Sequence, residues 1–197
     1  MGCKLKVCFF KPESDLNPVT VERYEANILG CTRQFRYSTA NTNTIDMALS
    51  VNGIPVVALE LKNQFTGQDY ICAINQYKND RSSKEFAFRL NHRFLVYFAV
   101  DLYEVWMTTQ LADSNTRFLP FNQGSNGAGV TGGAGNPQNP NGYATSYLWE
   151  EVLQRDSLLD LIHRFISFVK EKEEMVKNGV SRMITKEKMI FPRYHQY

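Results

Sequence analysis

The sequence predicts a mixed α/β fold in which a mixed β-sheet is flanked by helices. Its 197 residues are 43% hydrophobic and 21% charged, which is typical of a globular chain with one substantial core. Short segments of strand type alternate along the chain with segments of helical spacing. This order of elements favours a sheet covered by helices.

Strands are predicted where apolar and polar residues alternate over short segments bounded by turn residues. The dipeptide Asn52-Gly53 separates two such segments and is a strong hairpin signal. The predicted strands cover 4–10, 32–37, 44–51, 54–62, 94–100 and 104–109.

Helices are predicted where a start signal precedes apolar residues at helical spacing. Pro18 suits a first helical turn after Asn17, and residues 66–69 resemble a capping box. We expect the charged stretch 171–190 to be a solvated helix or a connector. The predicted helices cover 17–27, 66–80, 146–153 and 157–170.

Residues 121–143 are rich in glycine, asparagine and proline, and we expect them to form a long mobile loop. The stretch 127–132 within this loop matches the pattern G-x-G-x-x-G. A dinucleotide site needs a strand directly before this pattern and a helix directly after it, and neither is predicted here. The pattern therefore does not indicate a nucleotide site.

Composition limits the cellular setting. No apolar run reaches the roughly 18 to 20 residues that a transmembrane helix requires, and the N-terminal residues lack the apolar core of a signal peptide. The four cysteines show no C-x-x-C spacing, so we expect reduced thiols and a cytoplasmic location. The net charge of +2 neither indicates nor excludes a nucleic-acid partner.

Two charged residues, Glu60 and Lys62, lie on one face of a predicted strand whose other face is apolar. A hairpin loop of three residues, 51–53, would place Asp46 diagonally beside Glu60, whereas a loop of two residues would turn Asp46 away. We predict the three-residue loop, because only that register brings the two carboxylates together. Gly53 also suits the left-handed bulge residue of such a loop.

Two carboxylates and a lysine on one sheet face fit a metal-dependent phosphodiesterase. Carboxylate oxygens suit Mg²⁺, which shares its coordination shell with water and substrate phosphate. A nearby lysine can orient the attacking water and stabilise the transition state. The alternative is a Glu60–Lys62 pair with a purely structural role at a sheet edge, and spacing alone leaves both readings open.

The residues Asp46 and Glu60-Leu61-Lys62 resemble the motif of PD-(D/E)xK nucleases. An ordered set of further stretches, over roughly residues 9–170, resembles the N-terminal nuclease domain of the R subunit of type I restriction enzymes. These stretches are LNP at 16–18, TRQFRYS at 32–38, NGIP at 52–55, ELKN at 60–63, TGQ at 66–68, NQYK at 75–78, FLVYFAVD at 94–101 and VWMTT at 105–109.

The resemblance implies a restriction-endonuclease-like fold with Asp46 and Glu60 as ligands of Mg²⁺ and Lys62 as the catalytic lysine. Gln76 matches the glutamine of a downstream QxxxY element and would position the lysine or the substrate.

The chain departs from the family pattern at several positions. Asp80 stands where that element has its tyrosine, with Tyr77 beside Gln76, and Ile45 replaces the motif proline. A glutamate of the first helix often lies near the metal in this family, and either Glu22 or Glu25 could take that place.

A basic segment follows Gln76 and could meet DNA phosphates near the metal, with Lys78 and Arg81 nearest. The alternative for these residues is a solvated loop without a ligand.

The resemblance also implies an activity and its partners. The domain would hydrolyse phosphodiester bonds of double-stranded DNA at non-specific sites, after translocation by an ATP-driven motor. Its partners would be DNA and the M (methyltransferase) and S (specificity) subunits, with no membrane. Residues 1–170 would form the nuclease domain, and 171–197 would connect to the motor, because 191–196 resemble its lead-in.

Two other readings stay open. The chain could be another PD-(D/E)xK nuclease, RecB-like or junction-resolving. It could also be a catalytically silent DNA-binding or docking module.

Overall fold

The computed structural model describes residues 6–125, 134–177 and 180–196, and six of its strands form a mixed sheet. The strands are β1 (Leu29–Arg36), β2 (Thr44–Val51), β3 (Ile54–Leu61), β4 (Val96–Val100), β5 (Val105–Thr108) and β6 (Leu119–Pro120). They lie side by side in chain order, and only β3 and β4 are parallel. The predicted mixed sheet with flanking helices is confirmed and is consistent with a restriction-endonuclease-like fold.

A parallel pair of strands requires a crossover, and helix α2 (Tyr70–Asn79) lies in the connection between β3 and β4. The structure corrects the predicted start of this helix. Thr66 ends a short 3₁₀ turn, and Gly67 follows with a φ of 73°. The cap is Asp69, whose carboxylate accepts a 3.0 Å hydrogen bond from the Cys72 N–H.

The first of two hydrophobic cores lies on the face of the sheet that carries Leu59 and Phe98. Tyr24 covers this core from helix α1 (Pro18–Glu25), which begins as predicted after Asn17. Further cover comes from three short helical segments, Leu148–Val152, α3 (Arg155–Asp160) and Leu161–Phe165.

The second core lies on the opposite face, between the sheet and α2. Ala58 and Ala99 of the sheet meet Ala73 and Tyr77 of the helix, and all four are buried. The Tyr77 hydroxyl donates to the Phe98 carbonyl at 3.3 Å. Small side chains at this contact let α2 approach the sheet closely, next to the end of β3.

The turn between β2 and β3 differs from the prediction. The loop has two residues, Asn52 and Gly53, with φ angles of 50° and 82°, as a type I′ turn requires. The extra residue is Val56, which forms a bulge after Pro55. Because proline has no N–H to donate, Pro55 suits this break in the ladder.

Like the predicted three-residue loop, the bulge shifts the register of β2 against β3 by one residue from that of a simple two-residue loop. Beyond it the last pair of this ladder is Met47 with Leu59, and Asp46 and Glu60 are the next residues of the two strands. The predicted loop length was therefore wrong, but the Asp46 carboxylate still lies close enough to Glu60 to raise its pKa.

The side chain of Asn52 forms hydrogen bonds between this turn and two other segments of the same chain, at Ile28 and Val7. It accepts from the Ile28 N–H at 2.7 Å and donates to the Val7 carbonyl at 2.8 Å. We expect Asn52→Ala to lower the free energy of unfolding by about 2 to 3 kcal/mol, because it removes these bonds and strains a left-handed backbone. Urea denaturation measures this loss.

Asn91 offers the matched control for Asn52. It is exposed with a φ of 60°, and no side-chain hydrogen bond to it is seen within the described residues. Asn91→Ala should therefore cost only the backbone strain, about 1 kcal/mol. Equal losses at the two positions would contradict the role given to the Asn52 side chain.

The structure also corrects the prediction for the C-terminal part of the chain. The predicted helix 157–170 ends at Phe165, and the described residues of the stretch 171–190 are not helical. Instead β7 (Ser167–Lys177) and β8 (Val180–Ile190) form a separate two-stranded antiparallel sheet. Lysines and glutamates face each other across these strands, as in the ion pair of Lys170 with Glu187, and such cross-strand pairs favour the hairpin.

Two further sequence predictions fall partly outside the described residues. The strand predicted over 4–10 is wrong for residues 6–10, which have no regular structure, and residues 4 and 5 lie outside the description. Of the loop predicted over 121–143, residues 126–133 are not described. The described flanks contain no helix or strand and are hydrogen-bonded, for example from Asn136 to the Tyr103 carbonyl at 2.7 Å. No helix among the described residues is long and apolar enough to cross a membrane.

Candidate active site

Asp46 lies near the start of β2, and its carboxylate reaches the end of β3. One of its oxygens, Oδ2, accepts a 2.9 Å hydrogen bond from the Leu61 N–H. The other, Oδ1, has a 3.4 Å contact with the Gln34 amide nitrogen, too long to be a strong bond. The carboxylate is thus fixed in place with one oxygen largely available.

Glu60, near the end of β3, is fully buried with an exposed fraction of 0%. Its Oε1 accepts two hydrogen bonds from Arg81, at 3.0 Å from Nε and 2.8 Å from Nη2. Its Oε2 is buried and has no hydrogen-bond partner in the described part of the chain. A buried carboxylate oxygen without a partner is costly when charged, so burial disfavours the ionised form of Glu60.

Electrostatics support the same conclusion. Burial raises the pKa of Glu60 to about 8 against the opposing effect of the Arg81 guanidinium, and the Asp46 carboxylate adds to the rise. The cause is the cost of holding a second negative charge in a dry site beside the first. A divalent cation between the two groups would remove this cost and favour the charged form of both.

Lys62 follows β3 directly, and its N–H donates to the Val100 carbonyl at 2.8 Å. Its ammonium donates to the Gln76 side-chain oxygen at 2.6 Å. Of the two roles expected for Gln76, this contact fits the one that orients the lysine. Because α2 packs on the β3–β4 part of the sheet, the helix places Gln76 within hydrogen-bond distance of the Lys62 ammonium.

Two polar cavities meet at this point of the surface. The first, of about 570 Å³, is lined by Asp46, Arg81, Gln76 and Asp80 together with polar residues of the preceding loop. The second, of about 350 Å³, is lined by Lys62 and again by Gln76 and Asp80. A larger cavity of about 830 Å³ lies near Phe65, and buried Glu60 lines none of these three cavities. The two polar cavities suit a charged substrate.

Arg81 was predicted as a DNA contact, but the structure places it inside the protein. It is 4% exposed, and besides Glu60 it donates to the Thr44 carbonyl at 2.8 Å. Lys78 is half-buried and does not line the two polar cavities.

The two glutamates of α1 lie away from the site. Tyr24 of this helix covers the first core, on the face of the sheet opposite α2. Glu25 lies 3.7 Å from an Arg155 nitrogen, and Glu22 is exposed. Neither residue lines the polar cavities.

Tyr77 does not replace the missing tyrosine of the QxxxY element, because it is fully buried in the second core. Asp80, which stands at the tyrosine position, is exposed and lines both polar cavities.

Asp101, directly after β4, is a supporting residue that the sequence analysis did not single out. It is 4% exposed, and its Oδ2 accepts from the Tyr70 N–H at 3.0 Å and from the Gln64 amide at 3.1 Å. It therefore holds the first turn of α2 and the loop after Lys62. An acidic residue directly after an apolar strand was the available signal.

The donor set fits a small divalent cation. Glu60 Oε2 and Asp46 Oδ1 are available carboxylate oxygens, the type of ligand that Mg²⁺ prefers. No group of three or more histidine, cysteine, aspartate or glutamate side chains that could hold a metal is found among residues 6–125, 134–177 and 180–196. With two protein oxygens as ligands, Mg²⁺ would keep the rest of its shell for water and phosphate.

Comparison with known proteins finds a match to a protein-family model. The model of a protein family, described as the N terminus of the type I restriction enzyme R protein, matches residues 8–116. This match includes α1, β1 to β5, α2 and every residue of the candidate site. No curated protein matches the chain, and no solved structure matches it.

Proposed function

Because this chain belongs to the family of type I restriction enzyme R protein N termini, we propose that it is the Mg²⁺-dependent DNA endonuclease domain of such an R subunit. The observation that carries the proposal is that Asp46 lines one polar cavity and Lys62 another, that Gln76 and Asp80 line both, and that buried Glu60 interacts with Asp46. Two hairpin strands deliver the carboxylates, and the lysine is fixed by Gln76. This arrangement suits hydrolysis of a phosphodiester bond.

Asp46 and Glu60 would hold the cation through their available oxygens. When bound, Mg²⁺ lowers the pKa of a coordinated water and offsets negative charge on the scissile phosphate. The fixed position of both carboxylates, one by a backbone N–H and one by Arg81, means that little reorganisation is needed on binding.

Lys62 has the chemistry of a transition-state stabiliser. Its ammonium has three donors, and Gln76 accepts from it at 2.6 Å. The remaining donors can orient the attacking water and bind a phosphate oxygen as negative charge develops. The Gln76 amide nitrogen can donate to a neighbouring phosphate.

We further propose that the domain cuts double-stranded DNA without reading its sequence. On this proposal the motor of the R subunit uses ATP for translocation, the S subunit recognises the DNA site, and the M subunit methylates it. The complex would act in the cytoplasm. The family membership supports this assignment, since it names the R protein of this class of enzyme.

One observation favours a silent docking module as the second candidate. The Glu60–Arg81 ion pair, at 2.8 Å and nearly inaccessible to solvent, could be a purely structural contact. A RecB-like or junction-resolving nuclease is the other reading, and its products would be exonucleolytic or junction-specific rather than scattered duplex breaks.

The test is Lys62→Ala in the assembled restriction complex. We expect DNA cleavage to slow by about 10²- to 10³-fold, because one positioned donor to the transition state is lost. ATP hydrolysis and methylation, measured on the same preparation, should not change. Lys11→Ala is the control, since Lys11 is an exposed lysine that pairs with Asp156 at 3.3 Å on another surface. Cleavage by Lys62→Ala at the wild-type rate would refute the assignment.

A further inference from the structure

We propose that Arg81 is a positioning residue that presents a single oxygen of Glu60 to the cation, and that the site therefore binds one divalent cation rather than two. This inference rests on the proposed function and assigns Arg81 a role within the same site. It replaces the expectation that Arg81 contacts DNA.

Arg81 is held on several sides and is not a side chain that swings freely. Its Nη2 donates both to Glu60 Oε1 and to the Thr44 carbonyl, each at 2.8 Å. The Tyr37 ring lies 5.5 Å from the centre of its guanidinium. Its side chain is 5% exposed, so these contacts form in a dry environment. A guanidinium fixed in this way defines the orientation of the carboxylate that it holds.

Arg81 forms hydrogen bonds with only one of the two carboxylate oxygens of Glu60. Both short hydrogen bonds from Arg81 go to Oε1, whereas Oε2 receives none from the described residues. Only Oε2 is then available to a metal ion. A carboxylate with one available oxygen cannot easily bridge two cations while keeping its ion pair.

The charges of the site agree with a single cation. Asp46, Glu60 and Asp80 carry three negative charges when ionised, and Arg81 and Lys62 carry two positive ones, so the five groups sum to −1. One divalent cation brings the site to +1, which suits an anionic phosphate. A second cation would bring it to +3 within a partly buried site, at a high electrostatic cost.

The opposite role for Arg81 predicts an opposite result. If Arg81 blocked the site and had to move away before the metal binds, a substitution that weakens its hydrogen bonds to Glu60 would strengthen metal binding. If Arg81 positions Glu60, the same change would weaken metal binding. The sign of the effect separates the two roles.

The experiment is a titration of the 197-residue chain with Mn²⁺, with the free ion counted by electron paramagnetic resonance. We expect the wild type to bind one Mn²⁺ in a manner that Asp46→Asn abolishes. Arg81→Lys keeps the charge but loses the paired donors, and we expect it to bind Mn²⁺ about tenfold more weakly. Arg164→Lys is the matched control, because Arg164 pairs with Asp160 at 2.8 Å on the exposed surface.

A double variant shows whether Arg81 acts through Glu60. Glu60→Gln should weaken Mn²⁺ binding, and Arg81→Lys added to it should cause no further loss. An additional tenfold loss in this background would mean that Arg81 acts elsewhere and would overturn the proposal.

The outcomes also separate the two proposals. Absence of any Asp46-dependent Mn²⁺ binding would remove the proposed function together with this inference. Two bound ions, or equal or tighter binding by Arg81→Lys, would overturn the role of Arg81 and leave the nuclease assignment intact. If Arg81→Lys fails to fold, the number of ions bound by the wild type still decides.

Discussion

Asp46→Asn is expected to reduce DNA cleavage by the restriction complex by at least about 10³-fold, because metal catalysis supplies several kcal/mol of transition-state stabilisation. Asparagine keeps an oxygen that can accept from the Leu61 N–H, the 2.9 Å hydrogen bond that fixes Asp46 in the wild type. The variant therefore removes the negative charge but keeps the hydrogen bond between residue 46 and the end of β3. The measurement is the rate of double-strand breaks on circular DNA that carries a recognition site.

The control for this variant is Asp69→Asn at the start of α2. Asp69 is also an aspartate that accepts from a backbone N–H, and asparagine is an equally good helix cap. We expect Asp69→Asn to cut DNA as the wild type does. ATP hydrolysis should persist in both variants, which shows that each complex is assembled. Normal cutting by Asp46→Asn would mean that Asp46 holds no catalytic cation.

Arg81→Met is expected to lower the free energy of unfolding by about 3 to 5 kcal/mol at about pH 9, where wild-type Glu60 is ionised, because it leaves a buried carboxylate without its partner. The loss should depend on pH. Burial raises the pKa of Glu60 from 4.5 to about 8 in the folded wild type, so the folded state keeps a proton that the unfolded state releases. Stability from this group is therefore lost as the pH rises from 4.5 to about 8.

Without the guanidinium the pKa of Glu60 would rise further, since Arg81 is the group that lowers it. The difference in stability between Arg81→Met and the wild type should thus be larger at about pH 9 than at about pH 5. Denaturation at the two pH values measures it. The double variant Glu60→Leu/Arg81→Met removes both charges and should recover much of the loss. A loss independent of pH, or a double variant that is less stable still, would contradict the buried ion pair.

Local patterns in the sequence gave much of the sheet and part of the site. The Asn52-Gly53 turn and the alternation along β2 and β3 located the hairpin, because both signals depend only on neighbouring residues. The register was harder to predict, since a bulge at Val56 has the same effect as one more loop residue. Asp46 and Glu60 were brought together correctly through an incorrect loop length.

The contacts that define the state of Glu60 lie far apart in sequence. Arg81 is 21 residues from Glu60, and its own segment reads as a basic surface loop. Only the packing of α2 on the sheet reveals that the guanidinium turns inward. Similarly, the cross-strand ion pairs of β7 and β8 involve residues that look equally suitable for an exposed helix until the partner strand is known.

Anomalous X-ray diffraction from crystals soaked in Mn²⁺ shows whether Asp46 and Glu60 bind a divalent cation in common. We expect one anomalous peak where Asp46 of β2 faces the end of β3, within coordination distance of one oxygen from each carboxylate and with the Arg81–Glu60 pair intact. A well-diffracting crystal that binds Mn²⁺ elsewhere, with no density between these two side chains, would refute a shared cation site.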